Sequence, residues 1–417
     1  MEDIERYVGI DWGSVAHQVC VMGPDRKLLF ERSVAHKGQA LHDLANALLD
    51  GVDPARIAVA IETPRGAIVE TLVERGIVVY AINPKQLDRF RDRHTVAGAK
   101  DDRRDAFVLA DSLRTDRSAY RRVTVSPPQI IQLREFSRMH EDLIGERVAL
   151  GNRLGDQLRR YFPQVLELDG IGDAPWLWEL LEAAPCPAAA KRLTRAKVAR
   201  ILRENRIRRH TPESVREVLD AMPLGVADGV VEASSAHVAS LVARLRLVRN
   251  QIKDCERNTK QILEALCEPS TEEKREHRDA EVLLSFPGIG PIVGATMLTE
   301  AEQALKERDY QRLRALSGVA PVTRATGKRS GKNASVSMRR ACNVRLRNAI
   351  HYWIHTASSA DPNIKARYAA HRARGQSHAH ALRCVGDRML GVLVAMLKAG
   401  RLYQAAREPA ALISAAQ

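Results

Sequence analysis

Between Val238 and Leu266 the positions Val238, Leu241, Leu245, Val248, Ile252, Cys255, Thr259, Ile262 and Leu266 follow one another at intervals of three and four without a break. Only an α-helix keeps such positions on one face, and at about 1.5 Å per residue the stripe is about 43 Å long. That length exceeds the diameter of a small domain, so the middle of the chain has to be extended. Packed within one chain the stripe belongs to a helical bundle, and packed between chains it forms a coiled coil; the spacing leaves both open. A second long helix is expected from Ile130 to about Tyr161, where Phe136, Leu143 and Leu150 stand a heptad apart and Leu154, Leu158 and Tyr161 follow. Residues 164 to 230 read as shorter, Arg-rich helices broken by Pro175, Pro185, Pro187, Pro212 and Pro223.

The N-terminal flank has a different period. Apolar and polar residues alternate over Tyr7 to Asp11, His17 to Met22 and Lys27 to Arg32, with Gly23-Pro24-Asp25 turning the second run into the third. This spacing predicts a three-stranded antiparallel meander. A helix over Gln39 to Leu49, an apolar strand Ile57 to Ile61, a helix from about Gly66 to Glu74 and a strand Val78 to Ile82 follow, which is an α/β order. Two of these strands stop on an acid, Asp11 and Glu62, and side chains at strand ends of an α/β sheet point into the functional crevice.

A second acidic group lies in AGAKDDRRDAFVLADSLR (97–114), where Asp102 and Asp105 are three apart and share one helical face. Asp101 points elsewhere on that helix, and Asp111 is two turns further on. Mixed-charge runs are commonly solvated faces laced with ion pairs. The other reading is a metal site, because metal-assisted phosphodiester chemistry needs several carboxylates converging on divalent ions. The chain carries 65 Lys and Arg against 51 Asp and Glu, a net charge of +14, which favours a polyanionic partner, nucleic acid first and an anionic membrane second.

Cys20, Cys186, Cys255, Cys267, Cys342 and Cys384 are scattered, with no metal or disulfide spacing, and are expected to be reduced thiols, mostly buried. The histidines form no metal-ligand pattern. No apolar run approaches the roughly 18 residues of a spanning helix. The N-terminus lacks a signal-peptide order, so a cytosolic protein without a membrane partner is expected.

Towards the C-terminus, Gly288-Ile289-Gly290 turns between two apolar stretches in LLSFPGIGPIVGATMLTE (283–300). Such a turn either exposes backbone N–H groups at a helix N-terminus to a phosphate or makes a tight helix-helix corner. From Asp309 to Asp361 no acid intervenes, while Arg312, Arg314, Arg324, Lys328, Arg329, Lys332, Arg339, Arg340, Arg345 and Arg347 accumulate, an electrostatic bed for a phosphate backbone.

An acid on the first strand of a meander, another on the next strand after a helix and an acidic pair on a late helix is the order of a ribonuclease-H-like nuclease core. The segments GIDWG (9–13), IETP (61–64), KDDRRDA (100–106), FPGIGP (286–291), SGVAP (317–321), RSGK (329–332) and MRRACNVRLRNA (338–349) together resemble, in order and spacing, the DEDD transposases of the insertion-sequence-110 family. The resemblance covers roughly residues 5–125 and 280–405. It implies a RuvC-like domain (1–125) carrying the tetrad Asp11, Glu62, Asp102 and Asp105, a helical coiled-coil domain (126–279), and a mostly helical transposase domain with a helix-hairpin-helix and a catalytic serine (280–417). The fold class is thus α/β plus all-α. The resemblance further implies Mg²⁺ or Mn²⁺ on the tetrad, donor and target DNA, a structured guide RNA encoded by the element, and a nucleoid-associated prokaryotic setting. Many relatives have Thr or Ser where this chain has Asp101, so a third acid here crowds the pair. Because two DNA duplexes must be held at once, a dimer or tetramer is expected.

Two hydroxyls compete as nucleophile. Thr326 precedes Gly327-Lys328 and Ser330 precedes Gly331-Lys332, each beside a glycine that lets backbone approach a phosphate. Ser330 is preferred: its primary hydroxyl is less hindered, and Arg329 and Lys332 flank it. Ser335 and Ser337 fit an alternating strand better. Gly288, Gly290, Arg324, Lys328, Arg329, Gly331, Lys332, Arg339, Arg340 and Arg345 are the expected nucleic-acid contacts. The alternatives are a Holliday-junction endonuclease, which needs the acids but not the serine, and a non-catalytic nucleic-acid-binding scaffold.

Overall fold

A computed structural model of the chain describes residues 3–82, 84–93, 101–124, 126–267, 275–324 and 335–404. The chain divides into two compact units, 1–126 and 127–417.

The first unit runs β1 (Arg6–Asp11), β2 (Ala16–Met22), β3 (Leu28–Ala35), α1 (Gly38–Leu49), β4 (Ile57–Ile61), α2 (Ala67–Glu74), β5 (Val78–Ala81), α3 (Pro84–Asp92), α4 (Asp102–Asp116) and β6 (Arg121–Arg122). The expected meander is present, and the sheet order is β3-β2-β1-β4-β5-β6, with β1 and β4 and then β4 and β5 parallel. Ile-Ala-Val-Ala-Ile in β4 is buried at every position, as a central strand covered on both faces requires. One face packs Val8, Ile10, Val59 and Ile61 against Leu41, Leu44, Ile68 and Leu72 of α1 and α2. The opposite face packs Ala58 and Ala60 against Val108, Leu109 and Leu113 of α4, and Cys20 and Met22 against Ala106 and Ala110. Helix α3 and the two-residue β6 were not legible in the sequence, since only Leu87 and Phe90, three apart, mark the inward face of the short charged stretch PKQLDRFRD.

The second unit is dominated by α5 (Pro128–Tyr161, 34 residues) and α10 (Asp228–Cys267, 40 residues). Between them lie α6 (Pro175–Ala183), α7 (Pro187–Arg192), α8 (Arg195–Glu204) and α9 (Pro212–Asp220). Pro175, Pro187 and Pro212 open helices rather than break them, standing where no intrahelical N–H is needed. After α10 come α11 (Arg275–Leu284), α12 (Pro291–Glu300), α13 (Glu302–Lys306), α14 (Tyr310–Leu316), the pair β7 (Val322–Arg324) and β8 (Ser335–Ser337), and α15 (Val344–Ala360), α16 (Pro362–Ala373) and α17 (His378–Ala399).

The stripe on α10 is taken up inside the chain. Val238, Leu241, Leu245, Val248, Ile252 and Cys255 are buried with Leu143, Leu150, Leu154 and Leu158 of α5 and with Trp176 and Trp178 of α6. Cys255 Sγ, late on α10, donates to Phe136 O, early on α5, at 3.0 Å, while Ser235, early on α10, and Tyr161, the last residue of α5, both donate to Pro185 O, so α5 and α10 run antiparallel. A second core joins Ile130 and Leu133 of α5 and Leu263 and Leu266 of α10 to the helices from α11 onward, with Phe286, Trp353 and Met389 at its centre. Helices on either side of residue 280, from α5 to α17, therefore share cores within the second unit. All six cysteines are free thiols; only Cys20 and Cys255 are fully buried, and the other four are partly exposed.

Candidate active site

Strands β1 and β4 pair from Arg6 with Ile57 to Ile10 with Ile61, so Asp11, the last residue of β1, and Glu62, the first residue after β4, both follow the final pair. Strands lie about 4.8 Å apart, and equivalent residues in a parallel pair point to the same side. Continuing the alternation of Tyr7, Gly9 and of Ala58, Ala60 sends Asp11 and Glu62 to the face covered by α4. Both residues are half-buried.

Gly9 determines how α4 lies there. A β-carbon at this position would sit 1.9 Å from Ala106 O and 2.5 Å from Ala110 N, so the helix backbone rests directly on β1. Leu113, at the far end of α4, packs with Ile4 and Tyr120 near the start of β1. The helix consequently runs back along the strand, and its first turn, with Asp102 and Asp105, lies towards the acidic strand ends. Asp101 is the N-cap: its Oδ1 accepts from Arg103 N at 3.1 Å. The extra acid thus closes the helix start and complements its dipole.

The two helical acids differ in setting. Asp102 is exposed, whereas Asp105 is 1% exposed. Arg91 on α3 donates through Nε to Asp105 Oδ1 at 2.6 Å and through Nη2 to Oδ2 at 2.7 Å, a two-point grip on a buried carboxylate. Burial alone would lower the Arg91 pKa, but the hydrogen bonds and charge of Asp105, with those of Asp88, reverse this and raise it. Next to the acids, Gln18 is the register partner of Asp11 and donates to Glu31 at 3.2 Å. Glu31 also takes Arg103 Nε at 2.6 Å and Nη2 at 3.1 Å, which holds its carboxyl below the usual range. Cys20, beneath them, is pushed up to about 12 by burial, Glu31 and Asp111, and is chemically quiet. Below the sheet, buried His17 accepts from Gly13 N at 3.4 Å through Nδ1 and bonds His36 at 2.8 Å through Nε2, pinning the turn after Asp11.

Four carboxylates make a hard oxygen donor set, which suits Mg²⁺ or Mn²⁺. Among the described residues, no three His, Cys, Asp or Glu side chains converge closely enough to hold an ion, and Asp105 is already gripped by Arg91.

In the second unit, Thr326, Lys328, Arg329, Ser330, Gly331 and Lys332 lie outside the described residues. Their frame is described: Arg324 of β7 pairs with Ser335 of β8, and Ser335 and Ser337 do lie on a strand. SGVAP and MRRACN meet at the base of this pair. Gly318, at φ +71°, would carry a β-carbon 2.8 Å from Cys342 Sγ, and Asn343 N donates to Leu316 O at 2.8 Å. Arg340 is exposed and Arg339 half-buried.

Other basic residues are occupied internally. Arg345 is not an open phosphate contact: its guanidinium reaches Glu300 (3.0 Å), Ser137 Oγ (2.9 Å) and Glu141, tying α15 to α12 and α5. Arg314 grips Asp387, and Arg312 pairs with Glu307. The turn at Gly288 is a helix-helix corner, because its β-carbon would lie 2.7 Å from Ala357 N and 2.8 Å from Trp353 O of α15. Gly290, the N-cap of α12, is exposed with open space around it. Arg91, Gln18, Glu31 and Arg103 are the neighbours of the acids that sequence reading missed.

Residues 8–163 match the family model described as a DEDD transposase, and residues 280–369 match that of the transposase IS116/IS110/IS902 family. The putative transposase of the IS117 mini-circle from Streptomyces coelicolor is 32% identical over 98% of this chain and 98% of its own length. The chain belongs to the IS110 family of transposases. This transposase is also similar to the putative transposase y4uE of Sinorhizobium fredii, 47% identical over 52% of this chain and 62% of that protein. A 43.6 kDa protein of the insertion element IS110 from Streptomyces coelicolor is 25% identical over the full chain. The transposase is accordingly an enzyme acting on DNA, and its sheet order is the ribonuclease-H-like arrangement expected of a DEDD domain. Among the described residues no helix is long and apolar enough to cross a membrane.

Proposed function

We propose that this transposase cuts and rejoins DNA with Asp11, Glu62, Asp102 and Asp105 as ligands of Mg²⁺ or Mn²⁺ and Ser330 as nucleophile. The observation supporting the metal reading is that Asp11 and Glu62 directly follow the register pair Ile10–Ile61 on adjacent parallel strands, on the sheet face covered by the helix whose first turn bears Asp102 and Asp105. When bound, the ions would supply charge stabilisation to the attacking and leaving oxygens of phosphodiester transfer. Ser330 Oγ attacks the phosphorus, its proton leaves to a base, a phosphoserine ester forms, and the departing sugar oxygen is released as a hydroxyl. Arg329 and Lys332 neutralise the phosphate, with Arg324, Lys328, Gly331, Arg339, Arg340 and Gly290 along the backbone path. Gly288 and Arg345 serve packing instead.

Guidance by a structured RNA and assembly as a dimer or tetramer rest on family resemblance and on the need to hold donor and target together. The α10 stripe lends assembly no support, being buried within the chain. Incubating the full chain with labelled DNA and mapping the adduct by mass spectrometry tests the chemistry. DNA on the Ser330 peptide, lost in Ser330→Ala, supports the reading. An adduct at Thr326, or cleavage without any adduct as a junction nuclease would give, replaces it; salt-sensitive binding with no Mg²⁺-dependent cleavage would favour the scaffold.

A further inference from the structure

We infer that Arg91 is a built-in competitor of the catalytic metal: its grip on Asp105 has to open before that carboxylate can take a divalent ion. This rests on the reading of Asp105 as a metal ligand. Both oxygens of Asp105 lie in the guanidinium fork, at 2.6 and 2.7 Å, so the lone pairs facing the fork are occupied. The carboxyl side chain is 2% exposed, leaving little water to screen a guanidinium and a divalent ion held on the same group. The two cations therefore exclude each other.

Arg91 also has a second, more exposed partner to hold it once Asp105 is released. Its Nη1 lies 2.5 Å from Asp88 Oδ1, one turn back on α3, and the Asp88 side chain is 63% exposed. Arg91 is the penultimate residue of α3, so release from Asp105 needs movement only at the end of that helix. Asp88 can keep the guanidinium after Asp105 lets go. The arrangement has two states: Arg91 shared by Asp88 and Asp105, or Arg91 on Asp88 alone with Asp105 on the ion. The first keeps a buried acid neutralised, which an unpaired carboxylate at that depth would not be.

The test uses Mn²⁺ and the full-length protein. Hydrogen-deuterium exchange of the wild type should show faster exchange in α3 and slower exchange in the first turn of α4 when Mn²⁺ is added. By calorimetry, Arg91→Gln should bind Mn²⁺ about tenfold tighter, one charge-assisted pair having been removed from the competition. Arg91→Lys, which loses the fork, should shift in the same direction by less. Unchanged or weaker Mn²⁺ binding by Arg91→Gln, or α3 exchange that stays constant or slows with Mn²⁺, overturns the inference. Should Arg91→Gln fail to fold, the wild-type exchange result decides alone. Failure of the underlying tetrad is seen separately, as Asp11→Asn and Asp102→Asn proteins that bind Mn²⁺ like the wild type.

Discussion

Gly9 and Ala106 touch backbone to backbone: the place where a side chain would begin on β1 is filled by the carbonyl of α4. Gly9→Ala should therefore push α4 away and carry Asp105 with it. A destabilisation of about 1–3 kcal/mol is expected from overpacking of this kind, together with weakened Mn²⁺ binding. Gly38→Ala, at the open start of α1, is the control and should leave both unchanged. Denaturant titration and calorimetry on the two variants check this.

Leu245 is fully buried on α10, whereas Leu247 is 59% exposed. Leu245→Asp places a charge inside the α5–α10 core and should abolish cooperative folding of the helical unit. Leu247→Asp should change the melting temperature little. Circular dichroism melts separate the two; equal melts with a change only in oligomeric state would return the stripe to an interface role.

Arg345 and Arg340 should differ although both lie in one basic run. Arg345→Ala takes from the buried Glu300 its closer arginine, leaving it Asn343 and the more distant Arg138, and should cost about 1 kcal/mol of stability. Arg340→Ala should leave stability alone and reduce the salt dependence of DNA binding by about one phosphate contact. Fluorescence anisotropy across a salt series, with parallel melts, gives both quantities.

Burial, with the nearby His36, lowers the His17 pKa below its ordinary value. The unfolded chain then takes up the proton first as pH falls, so stability is full above the ordinary histidine value, about 6.5, and is lost between there and the lower folded pKa. Melts from pH 8 to 5 should show this decline, and His17→Gln should flatten it. An unchanged slope in the variant would remove His17 as its source.

What the sequence made legible was what local pattern encodes. The meander, the apolar β4 run and the acids Asp11 and Glu62 could be read because strands end where apolar alternation ends. The long helices could be read from their spacing, but not what they pack against, because α5 is as apolar on one face as a second copy of α10 would be. Arg345 looked like any other arginine in its run; its acid Glu141 is 204 residues away. Arg91 was hidden for a related reason, since its short charged helix carries only Leu87 and Phe90 as an apolar mark and its role depends on which way α3 faces.

Helices α5 and α10 each pass through both hydrophobic cores of the second unit without interruption. Every residue added to a helix turns the downstream residues by about 100° and moves them about 1.5 Å, so a single insertion in α10 would rotate Leu263 and Leu266 out of the far core while leaving Leu245 in the near one. Seven residues restore the angle to within about 20° but not the distance, and the antiparallel partner has to lengthen to match. Length changes in this unit are thus confined to paired, heptad-sized steps in both helices, or to the segments between α6 and α9 that the long helices do not phase.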